Sequence, residues 1–354
     1  MVAMAASRPV NLRCRRVAMT LPLTLSDILA ARRAIAGAAV RTPLVPSPHL
    51  SEVTGNEVLL KLESIQPVGA FKLRGALNAV SRLPAGTPGV TCCSTGNHGR
   101  ALAFAARARS LRAVVCMSAL VPAAKVEAVR ALGAEVRIVG RSQDEAAVES
   151  RRLATEEGLA EIAPFDDAHV IAGQGTAGLE LVEDRPDLAT VVVPLSGGGL
   201  AAGVALAVKA ANPAAHVVGV SMDRGAAMHA AVAAGRPVPV EEVESLADSL
   251  GGGLGDDNHL SFALCRALLD DILLVTEEEI YRAMQALYWH DRLVTEGAAA
   301  VGAAALLSGR LKPQGPTALL VTGRNVDMGT FTRIVTGQAV TLGTRTIEGR
   351  PHAP

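Results

Sequence analysis

Apolar residues recur along this chain in two alternating rhythms. Short runs such as Val58-Leu59-Leu60 and Val191-Val192-Val193 are apolar at every position, whereas the longer segments between them repeat apolar residues three and four positions apart. The first rhythm suits strands buried on both faces of a parallel sheet, and the second suits helices laid on that sheet. The spacing predicts helices over 27–40, 73–80, 97–108, 123–132, 142–158, 200–211, 277–290 and 298–307, and one running on from Gly173 to 182. It predicts strands over 58–62, 90–94, 113–117, 135–139, 190–194, 217–220, 273–275 and 317–321. Ser26 and Thr276 stand where N-caps belong, and Gly133 closes a helix. Arg41-Thr42-Pro43-Leu44 reads as an extended connector, because a residue before proline is driven out of the helical region. Strand then helix, repeated, is an α/β pattern. Two doubly wound, mostly parallel sheet units are expected: a small one of residues 84–166, and a large one of 19–83 with 167–345. A crevice would lie between them, and 346–354 would be a tail.

Composition narrows the core and the partners. The 354 residues are 49% apolar but only 2% aromatic, so Ala, Val and Leu must fill the interior. Lys plus Arg and Asp plus Glu number 34 each. No net field and no basic stripe point to nucleic acid or an anionic membrane. The longest uncharged apolar run, 191–208, is broken by Pro194 and three glycines, which makes it strand, turn and helix instead of a membrane span. Five cysteines with no CxxC or Cys/His spacing suit a reduced, cytoplasmic protein without structural zinc. Residues 1–18 carry Arg8, Arg13, Arg15 and Arg16 and no acid, but no amphipathic stripe. They are expected to be a disordered extension, or a stretch ahead of a working start at Met19.

Candidate chemistry begins at Gly69-Ala70-Phe71-Lys72-Leu73-Arg74-Gly75. A lysine among small and apolar neighbours is desolvated, which lowers its pKa and frees the amine as a nucleophile toward an aldehyde. It is equally the kind of lysine that opens a helix and lays its stem over the core. Ser94-Thr95-Gly96-Asn97-His98-Gly99 sits where a strand ends and a helix begins, so its amides can hold a carboxylate or phosphate, or merely cap the helix. Ser196-Gly197-Gly198-Gly199-Leu200 occupies the same kind of junction. It has neither the GxGxxG of a dinucleotide site nor the GK[ST] of a Walker loop, and a single phosphate monoester suits it better. Thr322, in Thr322-Gly323-Arg324-Asn325, ends a late strand, where a hydroxyl can reach a ligand or simply make a turn. Glu296 is a lone acid entering an apolar helix, a position the helix dipole also favours. His98, His169 and His290 have no metal-ligand spacing.

Taken together and in this order, these motifs resemble the fold-type II pyridoxal-phosphate enzymes, in the branch of threonine dehydratase and serine racemase. The resemblance spans about residues 25–337, and Ile171-Ala172-Gly173-Gln174-Gly175-Thr176 also looks like that branch. It implies a tryptophan synthase β-like architecture with pyridoxal 5'-phosphate in the cleft between the units. Lys72 would carry the cofactor as a Schiff base and return as general base and acid, with Phe71 beside the ring. Asn97 would bond the ring's 3-hydroxyl. Gly197, Gly198, Gly199 and the neighbouring Leu200 amide would hold the phosphate. Thr322 would face the pyridine nitrogen, where the branch usually has serine, with Glu296 near the same end. Backbone amides of Ser94, Thr95, Gly96, Asn97 and His98 would hold the substrate carboxylate. A hydroxyl at the ring nitrogen makes a weaker electron sink than a carboxylate would, which suits prompt β-elimination better than transamination. The implied protein is a homo-oligomer, dimer or tetramer, acting on a small amino acid.

Several positions depart from the branch. Ala70 replaces a serine, Thr95 replaces the serine through which racemases act on the opposite face, and Ser221 replaces a metal-ligating glutamate, so no metal is expected. No regulatory domain of the allosteric biosynthetic enzymes is expected after the last motif. Ser245-Leu246-Ala247-Asp248-Ser249-Leu250-Gly251-Gly252-Gly253 and Val294-Thr295-Glu296-Gly297 look like the dehydratase subgroup of hydroxyectoine breakdown. The expected activity is β-elimination of water from a β-hydroxy amino acid of the threonine or serine type, or one derived from hydroxyectoine. A serine or aspartate racemase is the rival within the same chemistry, and a non-catalytic ligand-binding homologue the rival outside it.

Overall fold

A computed structural model describes residues 10–11, 21–94, 96–121, 123–255 and 257–352. Its strands, in chain order, are β1 (Val10–Asn11), β2 (Leu44–Pro46), β3 (Val58–Leu62), β4 (Gly89–Cys93), β5 (Arg112–Met117), β6 (Glu135–Ile138), β7 (Ala160–Glu161), β8 (Thr190–Pro194), β9 (His216–Met222), β10 (Asp271–Val275), β11 (Thr317–Val321), β12 (Val340–Leu342) and β13 (Arg345–Ile347). Seven of them form one sheet in the order β1-β10-β9-β8-β11-β3-β2, and four form a second in the order β6-β5-β4-β7. All pairs in the smaller sheet are parallel. The larger is parallel from β10 to β3, with β1 and β2 as antiparallel edges. β12 and β13 make a separate hairpin.

Both sheets are covered on both faces, and the two-residue period of each strand shows it. In β8, Val191 and Val193 enter one core cluster while Val192 enters the other. Ala318 and Leu320 of β11 face the first cluster, and Leu319 and Val321 the second. One face is packed by α1 (Leu25–Ile35), α7 (Ala168–Asp184), α8 (Gly199–Ala211), α9 (Ala227–Ala234) and α10 (Leu260–Leu268). The other takes α2 (Pro48–Thr54), α11 (Glu277–Trp289), α12 (Gly297–Leu307) and α13 (Met328–Val335). The small sheet lies between α3 (Lys72–Ser81), α4 (Asn97–Ala108) and α5 (Ala123–Arg130) on one side and α6 (Gln143–Glu157) on the other. Small side chains let these layers approach closely. A Cβ on Gly203 of α8 would stand 2.3 Å from the carbonyl oxygen of Ile171 in α7.

Strand order fixes where a ligand can sit. In the large sheet the chain steps from β8 to β9 to β10 in one direction, and β11 lies on the other side of β8. In the small sheet β5 and β6 lie on one side of β4 and β7 on the other. Each reversal opens a crevice at the strands' carboxyl ends. The loops after β8, β11 and β3, adjacent in the sheet, carry the glycine run, Thr322 and Lys72 in turn. The turn after β4 carries Ser94 and Gly96 and leads into Asn97 and His98 at the start of α4.

Some elements differ from the reading of the sequence. The first helix runs Leu25–Ile35, not 27–40; Thr24 is its cap, giving both its N–H and hydroxyl to the Asp27 carboxylate at 2.8 Å, and Ser26 lies inside the first turn. Gly37, with φ of 78°, turns the chain soon after its end. α7 starts before Gly173, at Ala168, where Asp167 accepts the Val170 N–H at 2.8 Å. Of the segment expected to be disordered, Val10 and Asn11 pair with Ile272 and Asp271 in β10, and the remainder of 1–18 lies outside the described residues. The described part of the segment expected to be a tail, 346–352, is held to the body of the protein: Ile347 is buried in the core, and Gln285 donates to the Arg350 carbonyl at 2.9 Å. Among the described residues, no helix is long and apolar enough to cross a membrane.

Candidate active site

Lys72 is the first residue of α3, and its position is set by the neighbouring strand. The Phe71 N–H donates to the Thr322 carbonyl at 3.0 Å, and the Arg324 N–H donates back to Gly69 at 2.9 Å. Gly69 has φ of 77°, and a Cβ there would strike the Asn325 side chain at 2.7 Å. The first turn of α3 is anchored through Arg74 by a buried charge cluster. Arg74 donates to both Glu63 oxygens at 2.7 Å and to both Glu180 oxygens at 2.7 and 2.9 Å. Lys61 adds a bond to Glu180 at 2.6 Å, and the Thr42 hydroxyl one to Glu63 at 2.6 Å. Every charge in the cluster has opposite-charge partners, which is what makes its burial tolerable.

Lys72 reaches a cavity of about 880 Å³ between the two sheets. Its Nζ donates to the Pro164 carbonyl at 2.5 Å and lies 5.3 Å from the centre of the Phe71 ring. Burial pulls the amine down to about 8, against the opposing pull of Glu296. Part of this amine is therefore neutral near neutral pH, as a nucleophile or proton acceptor requires.

On the far wall, Asn97 opens α4. Its Nδ2 donates to both Glu296 oxygens at 3.0 Å, and its Oδ1 accepts from Asn325 at 2.6 Å. Ser249 adds a hydroxyl bond to Glu296 at 3.2 Å. Burial pushes the Glu296 carboxyl up to about 7, with Asn97 opposing and Asp248 adding to the rise. His98 is held neutral, at about 3, mainly by burial and then by the Lys72 charge, and its Nε2 bonds the Ile162 carbonyl at 2.8 Å.

The glycine run is a cradle that side chains cannot share. A Cβ on Gly197 would lie 2.3 Å from the Phe165 ring, and one on Gly199 2.7 Å from the Phe165 carbonyl oxygen. Gly198 is the cap of α8 with φ of 88°, and a Cβ there would meet Met228 and Cys265 at 2.6 and 2.9 Å. Ser261 fixes the run from outside by donating to the Gly197 carbonyl at 2.7 Å. The first amides of α8 have no intrahelical acceptors and carry the positive end of the helix dipole, which suits a phosphate. A desolvated lysine, this cradle and a polar wall of Asn97 and Thr322 in one cavity fit a phosphorylated pyridine aldehyde.

The cavity gathers Phe71, Lys72, Ser94, Gly96, Asn97, His98, Gly197, Gly198, Gly199, Leu200, Glu296 and Thr322. Thr95 lies outside the described residues. Two expectations change. The Ser94 N–H is already given to the Cys116 carbonyl at 3.3 Å, and its hydroxyl receives the Gly96 and Gly99 amides at 3.4 and 3.1 Å. Among the described residues of that loop, a carboxylate is left the first-turn amides of Asn97 and His98. Ala70 is fully buried in a bridge with Gly323 and does not line the cavity, so its missing hydroxyl removes nothing from the cavity wall. Ser221, where the branch has its metal-ligating glutamate, is buried in β9. Pro164, Phe165, Arg100 and Asn325 line the cavity without having been singled out as site residues. Asn325 lay in a motif read as a turn, and Pro164 and Phe165 follow a strand of only two residues, too short to read as periodicity.

The chain matches the family model described as "Pyridoxal-phosphate dependent enzyme" over residues 35–323. A Sinorhizobium fredii protein named "Putative threonine dehydratase" is 57% identical over 295 residues, covering 83% of this chain and 89% of that one. The L-threonine ammonia-lyase of Thermotoga maritima is 41% identical over 288 residues, covering 81% and 71%. The solved structure of maize serine racemase superposes with a TM-score of 0.83 at 34% identity, covering 88% and 96%. Cradle, lysine and relatives agree: the chain belongs to the pyridoxal-phosphate-dependent enzymes of fold type II, among their threonine dehydratase-like lyases.

Proposed function

We propose that this enzyme removes water by β-elimination from a small β-hydroxy amino acid of the serine or threonine type, releasing a 2-oxo acid and ammonia. The observation that carries the reading is Lys72, an amine drawn down to about 8, in one cavity with the glycine cradle. Bound pyridoxal phosphate supplies the electron sink that stabilises negative charge on the substrate's α-carbon. Lys72 takes the α-proton in its neutral form. Protonated, it delivers a proton to the departing hydroxyl, and a pKa near 8 leaves both forms populated. Gly197, Gly198, Gly199 and Leu200 would hold the phosphate through the start of α8, and Phe71 would pack beside the ring. Asn97, steadied by Asn325, would orient the 3-hydroxyl, and Thr322 would hold the ring nitrogen with Glu296 nearby. The amides of Asn97 and His98 hold the substrate carboxylate. A neutral ring nitrogen partner such as a hydroxyl favours expulsion of the leaving group as soon as the α-proton departs.

The large unit, 19–83 with 167–345, would carry the cofactor and the small unit, 84–166, would close over the substrate, in keeping with the two sheets. A hydroxyectoine-derived amino acid belongs to the same substrate class. It is favoured by the segment 245–253, of which Ser245, Asp248, Ser249 and Gly251 line the cavity.

The test is turnover of a panel of hydroxy amino acids, including hydroxyectoine-derived ones, with 2-oxo acid and ammonia measured together. Stoichiometric release is expected. Recovery of racemised amino acid without oxo acid would instead make the protein a racemase. A preparation that gains no visible absorbance with added pyridoxal phosphate would remove the cofactor assignment altogether.

A further inference from the structure

The last described residues form a strap against α11, and a pair of imidazoles fastens it. Gln285 of α11 donates to the Arg350 carbonyl at 2.9 Å. Pro351 lies so close to Gly337 that a Cβ on that glycine would stand 2.8 Å from the proline Cα. The His352 Nε2 then faces the His290 Nε2 at 3.0 Å, just past the end of α11. The His49 ring, from α2, stacks on His290 with 3.6 Å between centres, and Trp289 lies parallel to the His352 ring at 6.3 Å. The three histidines line a second cavity, of about 310 Å³, that shares no lining residue with the cleft. Among the described residues, no three such groups are placed to hold a metal ion, so what this cluster exchanges is protons.

A hydrogen bond between two facing imidazole nitrogens needs one of them bare. The bond survives the first added proton. It fails at the second, when two N–H groups and two like charges meet at 3.0 Å. The surroundings add to that repulsion. Arg282 of α11 and Arg350 of the strap line the same cavity, and Arg292 follows α11. The adjacent acid, Asp291, is directed to Ser47 and His49. Burial lowers the pKa of both His290 and His352, and the His49 ring lowers both further, with His352 and Arg292 adding to the fall at His290. We propose that residues 350–352 are an acid-released clasp, closed on α11 while the His290–His352 pair holds no more than one added proton and open once it holds two.

Trp289 is the only tryptophan in the sequence, so its emission reports this spot alone. The test is acrylamide quenching of that emission in the full-chain holoenzyme at pH 7.5 and 5. The quenching constant should rise roughly twofold on acidification, the step from a ring 41% exposed to a free one, and return on neutralisation. His352→Gln, whose amide bonds His290 in either protonation state, should abolish the rise. A constant that is the same at both pH values in the wild type, or that rises equally in His352→Gln, overturns the inference; the wild-type comparison needs no variant to fold. Urea midpoints give an independent sign. A histidine whose folded pKa lies below its unfolded value contributes stability that is complete above about 6.5 and is lost as pH falls through the folded value. Between pH 7.5 and 5 the wild type should therefore lose more stability than His352→Gln, a difference in which Glu296 cancels. Equal changes in the two proteins would also overturn the clasp.

Discussion

The Phe71 N–H and the Thr322 carbonyl are joined at 3.0 Å, although 251 positions separate them in the sequence. Through that one bond the loop bearing the cleft lysine takes its register from the end of β11. Lys72 and Thr322 are thereby presented to one cavity from adjacent strands of a single sheet.

The Lys72 amine sits at about 8 instead of 10.5 because it is buried. The neutral form, the one that attacks an aldehyde, therefore grows in as pH rises toward that value. Uptake of pyridoxal phosphate by the apo-protein should accelerate about tenfold per pH unit below it and level off above it. Stopped-flow absorbance checks this, and a rate still climbing at pH 10 would refute the assignment. Lys72→Ala should lose the absorbance and turnover while keeping its far-ultraviolet circular dichroism.

Glu296 titrates in the opposite sense to an ordinary surface carboxylate. Its folded pKa of about 7 lies above the usual 4.5, so between those values the folded protein holds a proton that the unfolded chain has released. Its contribution to apo-protein stability is therefore fully present below 4.5, and it is lost as pH rises to about 7. Glu296→Gln should flatten that slope, and urea midpoints at pH 5 and 7.5 for the two proteins measure it. A variant with the wild-type slope would assign the titration elsewhere.

Gly198→Ala should weaken cofactor binding more than it weakens the fold. Its left-handed backbone disfavours a Cβ by about 1–2 kcal/mol, and Met228 and Cys265 leave that atom no space. Cofactor affinity, followed by absorbance titration, should fall at least about tenfold, the equivalent of that energy. Unchanged affinity would mean that the cradle does not hold the phosphate.

Glu63→Ala should destabilise the protein by about 3–5 kcal/mol, because it leaves Arg74 buried beside one carboxylate instead of two. Equilibrium unfolding in urea gives the value. A loss below about 1 kcal/mol, typical of an exposed pair, would show that water reaches the cluster.

Much of the fold was legible because its signals are local. Both-face apolar runs such as 190–194 and 317–321 fall on strands of the same bounds, and Thr276 caps α11 as its sequence implies. Glycine was the misleading signal. In α7, Gly173 suggested a helix start, but a Cβ there would lie 2.6 Å from the Arg74 carbonyl oxygen, so the glycine serves close packing against α3.

The sequence by itself determined the alternation of strand and helix, the loops that carry chemistry and, through their order, the family. Strand order is not written in periodicity, so only the tertiary structure decided which distant residues meet. It placed Glu296 against Asn97, 199 positions away, and set the Lys72 amine on the Pro164 carbonyl. It turned Ala70 out of the cavity wall and, among the described residues, left the Arg100 Nε without a hydrogen-bond partner. A side chain's charge and its desolvation depend on what the sheets bring beside it, and for these residues that partner lies far along the chain.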